Sequence, residues 1–185
     1  MNDRIEALVQ CLEALSPMPG DDSPELTEER LHRYGEVIDQ IGKLVRGSET
    51  DRDMRFIRPL IRSFGYGDAY ESYWPVIHIL EKYPVDILLP ALREAVQKGE
   101  RGARTWCAYM LGRQRDTADV PILIAALQDP EYKVRYNALV ALAMIGDLAA
   151  KVAMEALLND PVEEVRREAE DCIDALVDQR YVIKR

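Results

Sequence analysis

The chain is 185 residues long and 48% apolar, and it carries a formal net charge of −9 at pH 7. That charge argues against binding to a phosphate backbone or an anionic membrane, and three cysteines without paired spacing argue against a disulfide scaffold or a metal site. The N-terminal residues contain no basic segment followed by an apolar run, so we expect a cytoplasmic protein that binds neither nucleic acid nor membrane.

The first 50 residues predict a helical N-terminal cap that belongs to the same domain as the rest of the chain. Apolar residues recur every three or four positions over 2–15 and again over 31–45, as they do on the buried face of a helix. A segment rich in proline and glycine separates the two stretches. We expect Ser23 to cap the second helix, Gly47 to end it and Asp53 to cap the third helix.

Residues 51–185 predict an array of helical repeats with a period of 31. Asp116 recurs as Asp147 and Asp129 recurs as Asp160, without any gap in the alignment. A fixed period of this size indicates a solenoid, because each unit is too small to bury its apolar face alone. The predicted units are 71–100, 101–130, 131–161 and a terminal cap, 162–185.

Each unit is expected to contain a first helix, a short turn and a second helix. The prolines of the second helices should lie in the first turn, where a missing N–H costs little. These prolines are Pro59, Pro90 and Pro121.

The segment Val134–Asp147, with its Val-Arg, Ala, Ala-Leu and Ile-Gly-Asp positions, resembles the short HEAT repeat that also occurs in phycobilin-lyase-type proteins. The pairs Asp129/Arg135 and Asp160/Arg166 resemble the Asp–Arg ladder of that family. The resemblance implies an all-α fold, a right-handed α–α superhelix that forms a short HEAT-like solenoid of about ten helices. It also implies a scaffold that holds a partner on its concave surface.

Aromatic and basic residues at helical spacing are candidates for partner binding, because Trp, Tyr and Arg dominate interface hot spots. In the alternative that we prefer for the two tryptophans, Trp74 and Trp106 fill the seam between the N-terminal cap and the array. The candidates are Tyr70, Trp74 and His78, and one repeat later Trp106, Tyr109 and Arg113.

A second candidate surface is a basic stripe on the second helices. Arg58 and Arg62 lie one turn apart, and Arg93 is the equivalent of Arg62 one repeat later. Such a stripe could hold an acidic segment of a partner. It could equally be a solvated face whose arginines pair with neighbouring carboxylates.

The sequence contains no motif that indicates catalysis, and it implies no cofactor. His32 is followed by Arg33 and His78 by Ile79, so the His-Glu pairs of di-iron hydroxylases of this fold are absent. We therefore expect a non-enzymatic scaffold, a monomer or weak dimer, such as an immunity- or inhibitor-type protein that binds a basic protein partner. The alternative is a lyase-type or small-ligand-binding HEAT-repeat protein.

Overall fold

A computed structural model describes residues 2–46, 53–67, 69 and 71–178. Within these ranges every regular element is helical, which confirms the all-α prediction. The α-helices are α1 (Asn2–Leu15), α2 (Glu28–Val45), α3 (Ile57–Ser63), α4 (Trp74–Leu80), α5 (Val85–Lys98), α6 (Arg101–Gln114), α7 (Val120–Ala126), α8 (Tyr132–Ile145), α9 (Lys151–Glu155) and α10 (Glu163–Val177).

The chain forms two compact units, Met1–Ala91 and Leu92–Arg185. The boundary between them falls inside α5. The division at residue 50 between an N-terminal cap and an array stays a prediction.

In the first unit, α1 packs against α2 and α3, and α2 packs against α4. The ring of Tyr73 stands edge-on to Tyr34 at 6.2 Å and to Phe64 at 5.4 Å between centroids. All three rings are buried. Burial of the Tyr34 hydroxyl raises its pKa, although the hydrogen bond with Ser63 acts in the opposite direction.

The start of α2 differs from the prediction. Thr27 caps the helix, because its hydroxyl accepts a hydrogen bond from the Arg30 N–H at 3.2 Å. The Ser23 hydroxyl instead accepts from the N–H of Glu25, only two residues later, and so closes a turn that precedes the helix. Gly47 lies outside the described residues, and the last residue of α2 is Val45.

The cap at Asp53 is confirmed. Its carboxylate accepts a hydrogen bond from the Arg55 N–H at 2.9 Å and begins the short 3-10 turn Met54–Phe56 that leads into α3. The Arg55 side chain donates to the same carboxylate, and these hydrogen bonds lower the pKa of Asp53 below its ordinary value.

Replacing Tyr73 by phenylalanine should lower the free energy of unfolding by about 1.5 kcal/mol. The Tyr73 hydroxyl accepts a hydrogen bond from the buried Gly65 N–H at 2.7 Å, and the variant removes that acceptor while it keeps the ring. Urea unfolding followed by circular dichroism measures the change.

Tyr34→Phe is the matched control for Tyr73→Phe. The Tyr34 hydroxyl bonds Ser63 Oγ at 2.8 Å, but Ser63 also donates to the Leu60 carbonyl at 2.8 Å. This control should therefore cost about 1 kcal/mol or less. A larger loss in Tyr34→Phe than in Tyr73→Phe would contradict the importance given to the Gly65 contact.

The second unit confirms the 31-residue period. Helices α6, α8 and α10 start at Arg101, Tyr132 and Glu163, and α8 packs against both α6 and α10. Asp116 and Asp147 each accept a hydrogen bond from the N–H two residues later and begin equivalent 3-10 turns. The repeat in the sequence is therefore a repeat in local structure.

The prediction for one of the three prolines is wrong. Pro59 and Pro121 lie in the first turns of α3 and α7, but Pro90 lies in the interior of α5. The cause is the earlier start of α5 at Val85. Residues 86–88 are part of that helix, whereas the equivalent residues before α7 form the separate 3-10 turn Thr117–Asp119.

Candidate partner-binding surfaces

Paired arginines and aspartates connect the helices of the second unit. Arg135 donates from Nε and Nη2 to the two carboxylate oxygens of Asp160, both at 2.7 Å. Arg104 contacts Asp129 in the same way, at 2.7 and 3.0 Å. Each side-chain pair therefore joins an arginine on the first helix of a repeat to the aspartate at the end of that repeat's second helix.

The pairs six residues apart, which the sequence singled out, are also in contact, but through the main chain. Arg135 Nη1 donates to the carbonyl of Asp129 at 2.9 Å, and Arg166 Nη1 donates to the carbonyl of Asp160 at 2.6 Å. The carboxylates of Asp129 and Asp160 do not take part in these contacts. Each accepts hydrogen bonds from the arginine of its side-chain pair and from the N–H two residues further on. The contacts form a ladder that alternates between side chain and backbone.

Asp160 is the most buried carboxylate in this ladder. Its side chain is 3% exposed, and that of Arg135 is 10% exposed. Burial alone would raise the pKa of Asp160, but the hydrogen bonds from Arg135 and from the Val162 N–H outweigh burial and lower it. The ladder of Arg104, Arg135 and Arg166 is therefore structural.

Arg93 belongs to a similar pair, which favours the alternative of arginines paired with neighbouring carboxylates, and its place in a partner-binding stripe stays a prediction. Its Nε lies 2.5 Å from the carboxylate of Asp119, and its Nη2 lies 2.8 Å from that of Asp116. The Asp119 side chain is completely buried, so it requires a compensating charge. The hydrogen bond with Asp119 raises the pKa of the Arg93 guanidinium.

The other two arginines of the predicted stripe lie on α3 in the first unit, and both are exposed. Arg62 Nη1 is 3.9 Å from the Glu13 carboxylate on α1, a contact between two exposed side chains. Such a pair contributes little to stability. For Arg62 the geometry favours the solvated face over the partner-binding stripe, and Arg58 lies one turn away on the same helix.

Trp74 and His78 form an exposed aromatic pair on α4. Trp74 is 37% exposed, and the two ring centroids are 6.4 Å apart with the planes inclined by 32°. Trp74 is therefore only partly covered, and the placement of Trp74 and Trp106 in a seam between the N-terminal cap and the array stays a prediction. Tyr70, the third predicted member of this group, lies outside the described residues.

A cleft of about 400 Å³ opens between α2 and α4, and His78 lines it. Sequence reasoning did not find this cleft. The only hint in the sequence was a pair of glycines in the predicted second helix, Gly35 and Gly42. In the structure, a Cβ at Gly35 would meet no atom within 4 Å, whereas a Cβ at Gly42 would lie 3.2 Å from Ile79. The lining residues are Gly35, Ile38, Asp39, Gly42, Arg46, Ser72, Pro75, His78, Ile79 and Lys82.

The second aromatic group lies on α6, in the other unit. The rings of Trp106 and Tyr109 meet edge-on, with centroids 6.3 Å apart, and the Arg113 guanidinium carbon lies 5.9 Å from the Tyr109 centroid. Arg113 is exposed, whereas the two rings are half-buried. The spacing of three and four residues therefore brings these side chains together on one face of the helix.

Within the described ranges, no group of His, Cys, Asp and Glu is arranged to hold a metal ion. The thiol of Cys107 is fully buried, and this burial raises its pKa, so it is a poor nucleophile. None of the described helices combines the length and apolarity needed to cross a membrane.

Comparison with known proteins identifies the repeats. The family model for HEAT repeats matches residues 77–174. Phycocyanobilin lyase subunit alpha from Picosynechococcus sp. is 33% identical over 93 residues, which are 48% of this chain. The matched region covers 35% of that relative, so the chain corresponds to about a third of its length.

Two solved structures are among those similar to this chain. Human deoxyhypusine hydroxylase in complex with glycerol has a TM-score of 0.53 and 20% identity, over 96% of this chain and 75% of that one. A designed armadillo repeat protein has a TM-score of 0.43 and 17% identity, over 95% and 85% of the respective chains. Since the HEAT-repeat model covers more than half of the sequence and coincides with the helices that repeat every 31 residues, this chain belongs to the HEAT-repeat family.

Proposed function

We propose that this protein is a non-catalytic scaffold that binds another protein. The main support for the proposal is the exposure of Trp74 beside His78 on α4. Tryptophan is costly to leave in water and is the residue type most enriched in interface hot spots. An exposed tryptophan held by a neighbouring ring is already arranged for contact with a partner.

The α6 group supports the same function. Tyr109 is flanked by the Trp106 ring and by the Arg113 guanidinium, and these contacts restrict its side chain. Binding through restricted side chains loses less conformational entropy than binding through mobile ones. Trp106, Tyr109 and Arg113 are therefore suitable as a second contact region.

The partner that we propose is a basic protein. Residues 163–178, which include α10, contain seven acidic and two basic residues, and the whole chain carries a net charge of −9. Glu170, Asp171 and Asp174 on this helix are exposed. An acidic surface increases the association rate with a basic partner and makes the affinity depend on salt. An immunity- or inhibitor-type role toward a basic enzyme or toxin fits this charge.

Replacing Trp74 by alanine should weaken partner binding at least about tenfold, the loss expected for a hot-spot residue. The measurement is quantitative mass spectrometry of proteins retained by the immobilised chain from native lysate, followed by titration of the retained protein. Thermal unfolding of each variant confirms that the fold is intact.

Val152→Ala is the control for Trp74→Ala. Val152 is 77% exposed on α9, so its truncation removes an exposed apolar side chain from the other unit. Equal loss of binding in both variants would contradict the role of Trp74. Failure of the wild-type chain to bind any protein saturably, together with turnover of a small molecule by the pure protein, would overturn the scaffold proposal.

A second candidate function is that of a lyase-type or small-ligand-binding HEAT-repeat protein. The observation that favours it is the 33% identity over 93 residues to phycocyanobilin lyase subunit alpha. If it is correct, addition of phycocyanobilin should change the absorbance of the pigment and raise the melting temperature of the protein. An unchanged spectrum and melting temperature would count against this function.

A further inference from the structure

The cleft between α2 and α4 has the size of a ligand site. Its volume of about 400 Å³ lies within the range of about 300–1,000 Å³ that is typical of small-molecule pockets. Gly35 and Gly42 leave two positions of the α2 wall without side chains. The neighbouring apolar lining comes from Ile38, Pro75 and Ile79.

The charge of the cleft is opposite to that of the chain as a whole. Arg46 on α2, together with His78 on α4 and Lys82 just after it, contributes basic groups to the lining. Asp39 is the one acidic group among the described lining residues. Its carboxylate already pairs with Lys43 Nζ at 2.5 Å and lies 3.8 Å from Arg46 Nη2. The cleft therefore presents an excess of positive charge beside an apolar surface.

This combination selects a class of ligand. A purely apolar molecule would gain nothing from the positive charge of the lining, and an inorganic anion would leave the apolar wall in water. A cation would be repelled by the arginine and lysine. A molecule with an apolar body and one carboxylate satisfies both parts of the lining, because basic side chains form strong charge-assisted hydrogen bonds with carboxylates.

We propose that the α2–α4 cleft binds a small carboxylate with an apolar body. This inference deepens the second candidate function, since it names the class of ligand and places it in the first unit. It does not depend on the binding of a protein partner.

The test is isothermal titration of the full chain with sodium octanoate, octylammonium chloride and 1-octanol. These probes share the apolar chain and differ in the head group. We expect saturable binding of one octanoate per chain, with affinity at least about tenfold lower for the cation and for the alcohol. Absence of octanoate binding, or equal affinity for octylammonium, would overturn the proposal.

Gly35→Leu locates the site, because a Cβ at this position meets no atom within 4 Å and the longer side chain can occupy the cleft. It should weaken octanoate binding at least about tenfold without lowering the melting temperature, since leucine is a better helix former than glycine. Val152→Ala, in the second unit and outside the lining, is the control and should bind octanoate as the wild type does. Octanoate binding that survives Gly35→Leu would place the site elsewhere and refute the assignment.

Lys82→Gln tests the charge of the lining and should weaken octanoate binding about threefold to tenfold while leaving octanol binding unchanged. The phycocyanobilin titration distinguishes failure of this inference from failure of the second candidate function, on which the inference rests. A protein that binds phycocyanobilin but not octanoate keeps the second candidate function and loses the ligand class proposed for the cleft.

Discussion

Replacing Arg135 by leucine is expected to lower the free energy of unfolding by about 3 kcal/mol. The variant leaves the Asp160 carboxylate, whose side chain is 3% exposed, without the guanidinium that bonds both of its oxygens. It also removes the donor to the carbonyls of Asp129 and Pro130. A buried carboxylate without its counter-charge is far more costly than the loss of an exposed ion pair.

Urea unfolding of a small set of variants measures this effect. Arg104→Leu breaks the equivalent pair one repeat earlier, where the side chains are 20% and 12% exposed, and should cost less, about 2 kcal/mol. Adding Asp160→Asn to Arg135→Leu removes the uncompensated charge and should restore part of the stability. An Arg135→Leu variant that unfolds at the same urea concentration as the wild type would contradict the structural role of the ladder.

The ion pair between Arg135 and Asp160 should make the stability of the chain depend on pH. Because the pKa of Asp160 is lower in the folded chain than its ordinary value, the unfolded chain binds this proton more readily. The contribution of Asp160 is complete well above about pH 4, the ordinary range of an aspartate, and it is lost as the pH falls through the lower folded pKa. The stability difference between the wild type and Asp160→Asn should therefore shrink on acidification.

Replacing Gly112 by alanine is expected to lower the free energy of unfolding by about 2 kcal/mol, although alanine is the better helix former. A Cβ at Gly112 would lie 2.4 Å from the Cα of Ala141 and 2.7 Å from its Cβ. Both atoms are on or next to the backbone of α8, so the clash is relieved only if α6 and α8 move apart.

Gly35→Ala is the opposite case and the control. The added methyl group enters open space in the middle of α2, so this variant should gain about 0.5–1 kcal/mol from helix propensity. The two changes are chemically identical, and urea unfolding should show opposite signs. An increase in stability for Gly112→Ala would show that α6 and α8 are not in the close contact described here.

Local features of the fold were predicted from the sequence because they depend on residues only a few positions apart. The period of 31 placed α6, α8 and α10 and made Asp116 and Asp147 equivalent, and Asp53 was predicted as the residue that begins a helical segment. A helix cap is a contact over two or three residues, and a buried helix face recurs every three or four.

The candidate site was predicted only in part, because its properties depend on neighbouring helices. The sequence brought Trp74 close to His78 and Trp106 close to Tyr109, since residues three or four apart share a helix face. It did not show that Trp74 is exposed or that Arg93 pairs with Asp116 and Asp119, 23 and 26 residues away. It did not show the α2–α4 cleft either.

The sequence alone therefore determined that the chain is an array of HEAT-like helical repeats, through its period, its caps and the apolar face of each helix. Only the tertiary structure decided which arginine neutralises which aspartate, which aromatic ring is left at the surface, and where a glycine on α2 leaves space beside basic side chains. The physical reason is the range of the interactions: helix formation and capping act within about four residues, whereas burial, ion pairing and cavities arise when helices distant in sequence pack together.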